Sequence, residues 1–194
     1  MHDILHPSSQ LTLVTGPSRS GKSEWAEFLA DRSAKKVVYV ATAQTNLDDQ
    51  EWQARIEQHR LRRPSHWATL EGPIDLAATI RTFSADHCLL VDSLGTWLAN
   101  LLEQDEATWW QTQATLLTGL RQRTCEVILV AEEAGWGLVP AYPVGRLFRD
   151  RLGLLVRQIG TIADPVYLVT AGHVLNLSRL GMPLGMEGNG GMGC

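Results

Sequence analysis

One segment of eight residues constrains the fold of this chain more than any other feature, because it matches the pattern GxxxxGK[ST] in full. It lies between an apolar stretch, residues 11–15, and an amphipathic stretch, residues 23–34. In a strand–loop–helix unit, such a loop aims backbone N–H groups at phosphates, and the helix N-terminus adds positive potential. The lysine reaches the β- and γ-phosphates, and the final hydroxyl ligates Mg²⁺. The predicted nucleotide-binding residues are Gly16, Pro17, Ser18, Arg19, Ser20, Gly21, Lys22 and Ser23.

The rest of the chain alternates short β-branched stretches with amphipathic ones, and this alternation predicts βαβ units. The predicted strands are 11–15, 37–41, 89–92, 127–131 and 166–170. The predicted helices are 23–34, about 48–61, an apolar stretch over 94–102, 106–123 and 146–163. Apolar strands of this kind form a parallel sheet that is buried on both faces. We therefore predict an α/β fold of the P-loop NTPase (RecA-like) class, with a mostly parallel central sheet flanked by helices. A single domain is expected over 11–180, with flexible ends at 1–10 and 181–194.

Composition excludes several classes of protein. The chain has 194 residues, with 17 Lys and Arg against 21 Asp and Glu, and this acidic balance disfavours a protein that coats nucleic acid or an anionic membrane. No apolar run reaches the ~18–20 residues that span a bilayer, and the N-terminus lacks the features of a secretory signal. Cys88, Cys125 and Cys194 are widely spaced and form no CxxC pair, so a cysteine zinc site is not expected. These features predict a reduced, cytoplasmic protein without stable membrane insertion.

Acidic residues at strand ends are the expected partners of the loop. Asp92 closes the stretch 89–92, where a carboxylate holds the water shell of Mg²⁺ together with Ser23. The alternative for Asp92 is a helix N-cap. Glu132 and Glu133 end the fourth predicted strand and are weaker candidates for the same metal role.

A basic cluster surrounds His59 on the predicted helix that ends near Pro64. Arg60, Arg62 and Arg63 follow this histidine, and arginine donates paired hydrogen bonds to phosphate. Neighbouring positive charge disfavours imidazolium, so a neutral ring here is able to attack phosphorus and form a phosphoramidate. The alternative is that His59 packs beside Trp52 and Ile56 and has no catalytic role. His66 has no comparable setting.

Several segments, in order, are similar to a known family, the bifunctional adenosylcobinamide kinases/adenosylcobinamide-phosphate guanylyltransferases of cobalamin biosynthesis. They are VTGPSRSGKS (14–23), YVATA (39–43), RIEQHR (55–60), RPSHWATLE (63–71), LVDSLGTWLANLL (90–102), GWGLVP (135–140) and RLFRD (146–150). The resemblance implies two reactions at one nucleotide site. ATP or GTP first phosphorylates the aminopropanol hydroxyl of adenosylcobinamide. GTP then guanylylates a histidine, and the phosphorylated corrinoid takes up the GMP to give adenosylcobinamide-GDP.

The resemblance also implies roles for individual residues. His59 matches the guanylylated histidine, and the positions that contact the guanine nucleotide are Ala41, Thr42, Ala43, Arg60, Leu61, Arg62, Arg63, Glu71 and Asp92. It further implies Mg²⁺ as cofactor, GTP and ATP as substrates, and a homotrimer. The partners implied are adenosylcobinamide and adenosylcobinamide phosphate, with no nucleic acid.

This chain departs from the family pattern at two places. Pro17 and Ser18 replace a glycine and an alanine in the loop, and proline removes one backbone donor. The family's Asn-Glu-Val-Gly is Glu132-Glu-Ala-Gly135 here, which adds a carboxylate near the substrate.

The stretches around Trp97 and Trp136 either line the corrinoid pocket or pack in the core. Alternative functions are a RecA-type ATPase and a nucleotide sensor without enzymatic activity.

Overall fold

The computed structural model describes residues 10–43, 57 and 63–184. Within them the strands are β1 Leu11–Gly16, β2 Lys36–Ala41, β3 Ala68–Glu71, β4 His87–Asp92, β5 Glu126–Glu132, β6 Val166–Thr170 and β7 His173–Asn176. The helices, numbered over the same residues, are α1 Lys22–Asp31, α2 Leu76–Arg81, α3 Leu94–Ala99, α4 Glu106–Gln122, α5 Pro143–Gly160 and α6 Leu177–Leu180. No helix in these ranges is long and apolar enough to cross a membrane.

The strands form one sheet in the order β3-β2-β4-β5-β1-β6-β7. From β3 to β6 in this order, each pair of neighbouring strands is parallel. The last pair, β6 and β7, is antiparallel. Parallel neighbours need crossover connections, and helices supply them on both faces of the sheet. The predicted fold class, a mostly parallel α/β sheet flanked by helices, is confirmed.

The two faces of the sheet bury different cores. On one face, side chains of α2, α3, α4 and α5 pack with Leu11, Leu13, Leu89, Val91 and Leu129. On the other face, Ala26 and Ala30 of α1 pack with Val14, Tyr39 and Leu90. Successive strand residues point to opposite faces, so every second residue of β1, β2 and β4 faces α1. This alternation places Val14, Tyr39 and Leu90 on the face of the sheet that α1 covers.

The cysteines in the described ranges lie in the core. Cys88 and Cys125 are fully buried and free. Burial raises the pKa of the Cys88 thiol to about 12, so this group stays protonated at neutral pH. Both residues fill core volume and are not nucleophiles.

The five predicted strands are all present, with ends that differ by at most two residues. Four elements were not predicted: β3, α2, β7 and α6. Their segments carry weak patterns, since β3 and β7 lie at the two edges of the sheet with mostly exposed side chains. The predicted helix over 48–61 lies outside the described residues, and so do 1–9 and 185–194 of the predicted flexible ends. Gln10, placed in the N-terminal end by prediction, is buried and donates from Nε2 to the carbonyl oxygen of Asp164.

Candidate nucleotide site

The candidate site lies where the carboxyl ends of the parallel strands meet, and this row of strand ends is called the sheet edge below. In the register of β3, β2 and β4, Ala41 pairs with Glu71 on one side and with Asp92 on the other. Gly16, the last residue of β1, pairs with Glu132 of β5. Ligands of open α/β sheets bind outside the carboxyl ends of their strands. Ala41, Glu71 and Asp92, which were predicted from separate motifs, are therefore adjacent in space.

The phosphate loop follows β1 directly and continues into α1. A side chain on Gly16 would place its Cβ 2.3 Å from the carbonyl oxygen of Val169, so only glycine fits there. Gly21 has a φ of 91°, in the left-handed region, and immediately precedes α1. These two glycines allow the tight turn that the GxxxxGK[ST] pattern predicts.

Lys22 and its neighbours complete the loop. Lys22 is 6% exposed, and its Nζ donates to the carbonyl oxygen of Pro17 over 3.2 Å. The acceptor is a backbone carbonyl oxygen, so the proline at position 17 does not disturb this contact of Lys22. The Ser20 hydroxyl is buried without a hydrogen-bond partner among the described residues. A buried hydroxyl of this kind is suited to donate to a phosphate oxygen.

Asp92 contacts a residue that the sequence analysis did not single out. The Tyr39 hydroxyl donates to Oδ2 of Asp92 over 2.8 Å. Burial, reinforced by the negative charge of Asp92, raises the pKa of Tyr39 far above its ordinary value. The guanidinium carbon of Arg63 lies 3.4 Å from the centroid of the Tyr39 ring. Tyr39 therefore joins two predicted site residues that come from distant parts of the chain.

Ser93 caps the helix that follows Asp92. The Ser93 hydroxyl accepts from the backbone N–H of Thr96, and the Thr96 hydroxyl pairs with the backbone N–H of Ser93 to form a capping box. The N-cap interpretation of Asp92 is therefore wrong, since the next residue performs that function. The Asp92 carboxylate remains at the strand end, where the metal role was predicted.

Thr42 connects the end of β2 to the start of α3. Its side chain is fully buried, and its hydroxyl donates to the carbonyl oxygen of Ser93 over 2.7 Å. The backbone N–H of Ser93 donates to the same hydroxyl over 2.8 Å, and Asn100 Nδ2 donates to the Thr42 carbonyl oxygen. The predicted nucleotide contact at Thr42 can thus not come from its hydroxyl, which is used inside the protein. Ala41 and Ala43 are half-buried beside it.

Glu132 was a weaker candidate for the metal role, and the structure uses its carboxylate differently. The Ser93 hydroxyl donates to Oε1 of Glu132, and the backbone N–H of Gly95 donates to Oε2 over 3.0 Å. A Cβ on Gly95 would collide with this carboxylate. The departure from the family's asparagine is therefore accommodated by bonds to the start of α3. Glu133 accepts from the backbone N–H of Gly135.

Replacing Glu132 with alanine is expected to lower the free energy of unfolding by about 1–3 kcal/mol, because two donors lose a charged acceptor. Urea denaturation measures this change. Glu133→Ala is the matched control on the neighbouring residue, whose carboxylate bonds only its own exposed turn among the described contacts, and it should cost about 1 kcal/mol or less. Equal costs for the two variants would contradict the role assigned to Glu132.

The other predicted residues divide into two groups. Glu71 ends β3 with an exposed side chain, level with Ala41 and Asp92. The remaining predictions lie outside the described residues, and they are His59, Arg60, Leu61 and Arg62. Of the basic cluster, the structure describes Arg63, which is half-buried against Tyr39.

The donors at the sheet edge fit a magnesium ion in chemistry. Ser23 supplies a hydroxyl from the first turn of α1, and Asp92 supplies a carboxylate, and both are hard oxygen donors of the kind that Mg²⁺ takes. Over residues 10–43, 57 and 63–184, no three His, Cys, Asp or Glu side chains cluster as a metal cage. Mg²⁺ ordinarily completes such a sparse donor set with waters and substrate phosphates.

Sequence reasoning missed Tyr39, Ser93 and Thr96. A signal existed for Tyr39, because a tyrosine inside a buried strand needs a hydrogen-bond partner for its hydroxyl. Naming Asp92 as that partner requires the pairing of β2 with β4, which the sequence does not show. Ser93 and Thr96 have the spacing of a capping box, with threonine in place of the usual acidic or amide residue.

The two tryptophan stretches have different surroundings. Trp97 is buried, its Nε1 donates to the carbonyl oxygen of Ile74, and it packs in the core. Beside it lies a cavity of about 250 Å³ lined in part by Leu101, Gln104 and Thr112. Trp136, in contrast, is 63% exposed. The core interpretation is confirmed for Trp97 and is wrong for Trp136.

Comparison with known proteins gives matches over most of the chain. The family model for "Cobinamide kinase / cobinamide phosphate guanyltransferase" matches residues 12–177. A Pseudomonas aeruginosa protein named bifunctional adenosylcobalamin biosynthesis protein CobP is 42% identical over 174 residues, covering 89% of this chain and 98% of that protein. The Escherichia coli protein named bifunctional adenosylcobalamin biosynthesis protein CobU is 37% identical over 180 residues, covering 84% and 96%.

Among solved structures, a Pyrococcus horikoshii OT3 protein described as project PH0250 superposes with a TM-score of 0.55 at 5% identity. The alignment covers 90% of this chain and 88% of that one. At this identity the likeness shows a shared fold and says nothing about activity.

Proposed function

The chain belongs to the cobinamide kinase/cobinamide phosphate guanyltransferase family, and we propose from this premise how its residues divide the two reactions. It is a bifunctional enzyme of cobalamin biosynthesis that uses nucleoside triphosphates. The proposal is that the phosphate loop serves both reactions and that His59 carries the guanylyl group. The observation that supports a shared nucleotide site is the carboxyl end of the sheet, where Ala41, Glu71 and Asp92 lie in register and where the loop after β1 begins. The role of His59 is proposed from the motif that matches the family.

In the kinase reaction, the loop holds the β- and γ-phosphates of ATP or GTP. The backbone N–H groups of the loop and the Lys22 ammonium balance the phosphate charge and hold the γ-phosphorus in place. The aminopropanol hydroxyl of adenosylcobinamide attacks that phosphorus, and the bond to the β–γ bridging oxygen breaks. The nucleoside diphosphate leaves, and the hydroxyl proton passes to water. The product is adenosylcobinamide phosphate.

In the guanylyltransferase reaction, a neutral imidazole nitrogen of His59 attacks the α-phosphorus of GTP. The bond to the α–β bridging oxygen breaks, and pyrophosphate leaves. The phosphate oxygen of adenosylcobinamide phosphate then attacks the guanylyl phosphorus and breaks the N–P bond, which restores the free ring. The products are adenosylcobinamide-GDP and the unmodified histidine. Arg60, Arg62 and Arg63 bind the phosphates during both attacks.

Mg²⁺ would be held by the Ser23 hydroxyl and, through water, by Asp92. It would supply positive charge that offsets the negative charge developing on the phosphates. The chain's own contribution is to place these two oxygen donors at the same end of the sheet, Ser23 after β1 and Asp92 at the end of β4. Guanine contacts are proposed at Ala41, Ala43, Leu61 and Glu71. A cytoplasmic location accompanies this proposal, since both reactions consume nucleoside triphosphates.

A two-stage incubation tests the proposal. The protein is mixed with adenosylcobinamide, ATP and Mg²⁺, and the corrinoid is analysed by mass spectrometry before and after GTP is added. We expect a gain of one phosphoryl group in the first stage and of one GMP unit, less water, in the second. An unmodified corrinoid after both stages would contradict the proposal, and a corrinoid that stops at the phosphate would contradict its second half.

We further propose a homotrimer, supported by an exposed apolar stretch between β5 and the first turn of α5. Leu138 is 97% exposed, and Trp136, Val139, Tyr142 and Val144 are also largely exposed. Apolar side chains grouped in this way mark protein interfaces. Arg146 donates to the carbonyl oxygens of Pro140 and Ala141, so the stretch is attached to α5.

Replacing Leu138 with aspartate is expected to shift the trimer to monomers, because each interface would bury an unpaired charge. Analytical ultracentrifugation measures the change. Ile74→Asp is the matched control, since Ile74 is also an exposed apolar residue but lies between β3 and α2. A monomeric wild-type protein at micromolar concentration would contradict the trimer.

A further inference from the structure

Tyr39 occupies a position that neither reaction explains directly. It lies in β2, is 2% exposed and sits two residues before Ala41 on the face of the sheet that α1 covers. A buried tyrosine has two contacts to offer, a ring and a hydroxyl. Here each contact goes to a different residue of the nucleotide site.

The hydroxyl contact goes to the strand on one side. Tyr39 donates over 2.8 Å to Oδ2 of Asp92, which restricts rotation of that carboxylate about its last bond. A phenolic hydroxyl is protonated at neutral pH, so it is a donor in this contact. Partners of this type orient metal-binding carboxylates and raise metal affinity.

The ring contact goes to Arg63. The guanidinium carbon is 3.4 Å from the ring centroid, which is the stacked geometry of a cation–π pair. The Arg63 Nε is buried and has no acceptor among the residues that the structure describes. The ring therefore supplies the contact that holds this side chain. A stacked guanidinium presents its N–H groups in a fixed plane, which suits phosphate binding.

We propose that Tyr39 is a positioning residue that holds two side chains of the nucleotide site, Asp92 and Arg63. Its hydroxyl orients Asp92 toward the metal, and its ring holds Arg63 toward the nucleotide phosphates. This inference rests on the proposed roles of Asp92 and Arg63 and adds the residue that links them. It predicts that the two effects separate when the hydroxyl and the ring are removed in turn.

The test measures binding of a fluorescent GTP analogue, first in EDTA and then during a titration with Mg²⁺. Tyr39→Phe retains the ring and should leave affinity in EDTA unchanged. It should raise the Mg²⁺ concentration at the midpoint about 10-fold or more, the usual effect of losing a partner of a metal ligand. Tyr39→Leu should show the same shift and, in addition, bind about 3- to 10-fold more weakly in EDTA.

Two controls keep the test decisive. Tyr167→Phe removes another largely buried tyrosine hydroxyl from the same face of the sheet and should bind like wild type. If Tyr39→Leu does not fold, Arg63→Lys retains the charge without the planar stack and should show the EDTA effect alone. A wild type with no Mg²⁺ dependence would overturn the proposed metal role. A Mg²⁺-dependent wild type with an identical Tyr39→Phe titration would overturn this inference alone.

Discussion

Lys22→Met is expected to lower both phosphoryl transfer to adenosylcobinamide and guanylylation of the protein by about 10²–10³-fold, the effect of losing one preorganised donor to a transferred group. The Lys22 ammonium lies at the phosphate loop, hydrogen-bonded to Pro17. In the proposed mechanism it balances charge on the β- and γ-phosphates. The β-phosphate belongs to the leaving group of both reactions, and the γ-phosphate is transferred in the first and leaves within pyrophosphate in the second. Initial rates with saturating corrinoid measure the first effect, and label from α-phosphate-labelled GTP measures the second.

Lys36→Met is the matched control for this loss of charge. Lys36 begins β2 at the opposite edge of the sheet and pairs with Asp86 over 2.9 Å on the surface. Its replacement should leave both rates within about twofold, since exposed ion pairs contribute little. If Lys22→Met lost one activity and kept the other, a single nucleotide site for both reactions would be contradicted.

His59→Ala is expected to abolish guanylylation and the formation of adenosylcobinamide-GDP, while phosphorylation of adenosylcobinamide stays within a few-fold of wild type. The reason is chemical, because alanine has no nitrogen that attacks phosphorus, whereas the kinase reaction needs no protein nucleophile. The loss in the second reaction should approach the limit of detection. Separate assays of the two products measure the separation.

His66→Ala is the control for this variant. His66 lies just before β3 with an exposed side chain, and it belongs to the same basic segment of the sequence. We expect it to retain both activities. Retention of guanylyl transfer by His59→Ala would show that another group, or direct attack by the corrinoid phosphate, carries the GMP.

The elements that could be predicted are those whose own residues carry a clear apolar pattern or motif. Strands β4 and β5 carry unbroken apolar runs, β1 is mostly apolar, and the loop after β1 has a motif that defines its own geometry. Fold class followed from these features together. In contrast, β3 has four exposed residues, Ala68–Glu71, and forms only because it pairs in parallel with β2. Edge strands of this kind depend on a neighbour that the local sequence does not identify.

The site divides in the same way. Gly16 to Ser23 were predicted from the GxxxxGK[ST] pattern, and Asp92 was predicted from its place at the end of an apolar strand. Strand ends meet at one edge in a parallel sheet. The bond from Tyr39 to Asp92 was not predicted, because it depends on which strand lies beside β4. Glu132 was expected near metal or substrate, and its contacts with Ser93 and Gly95 depend on where α3 begins. Contacts between distant elements were the information that sequence patterns lacked.

The central claim is that one loop holds the triphosphate while His59 accepts its GMP. Peptide mass spectrometry of the wild-type protein after incubation with GTP and Mg²⁺ tests this claim most directly. We predict one GMP, less water, on the peptide and side chain of His59, none on His66, and no adduct in Lys22→Met at the same time point. An adduct on a different residue, or adenosylcobinamide-GDP formed without any adduct on His59, would contradict the claim.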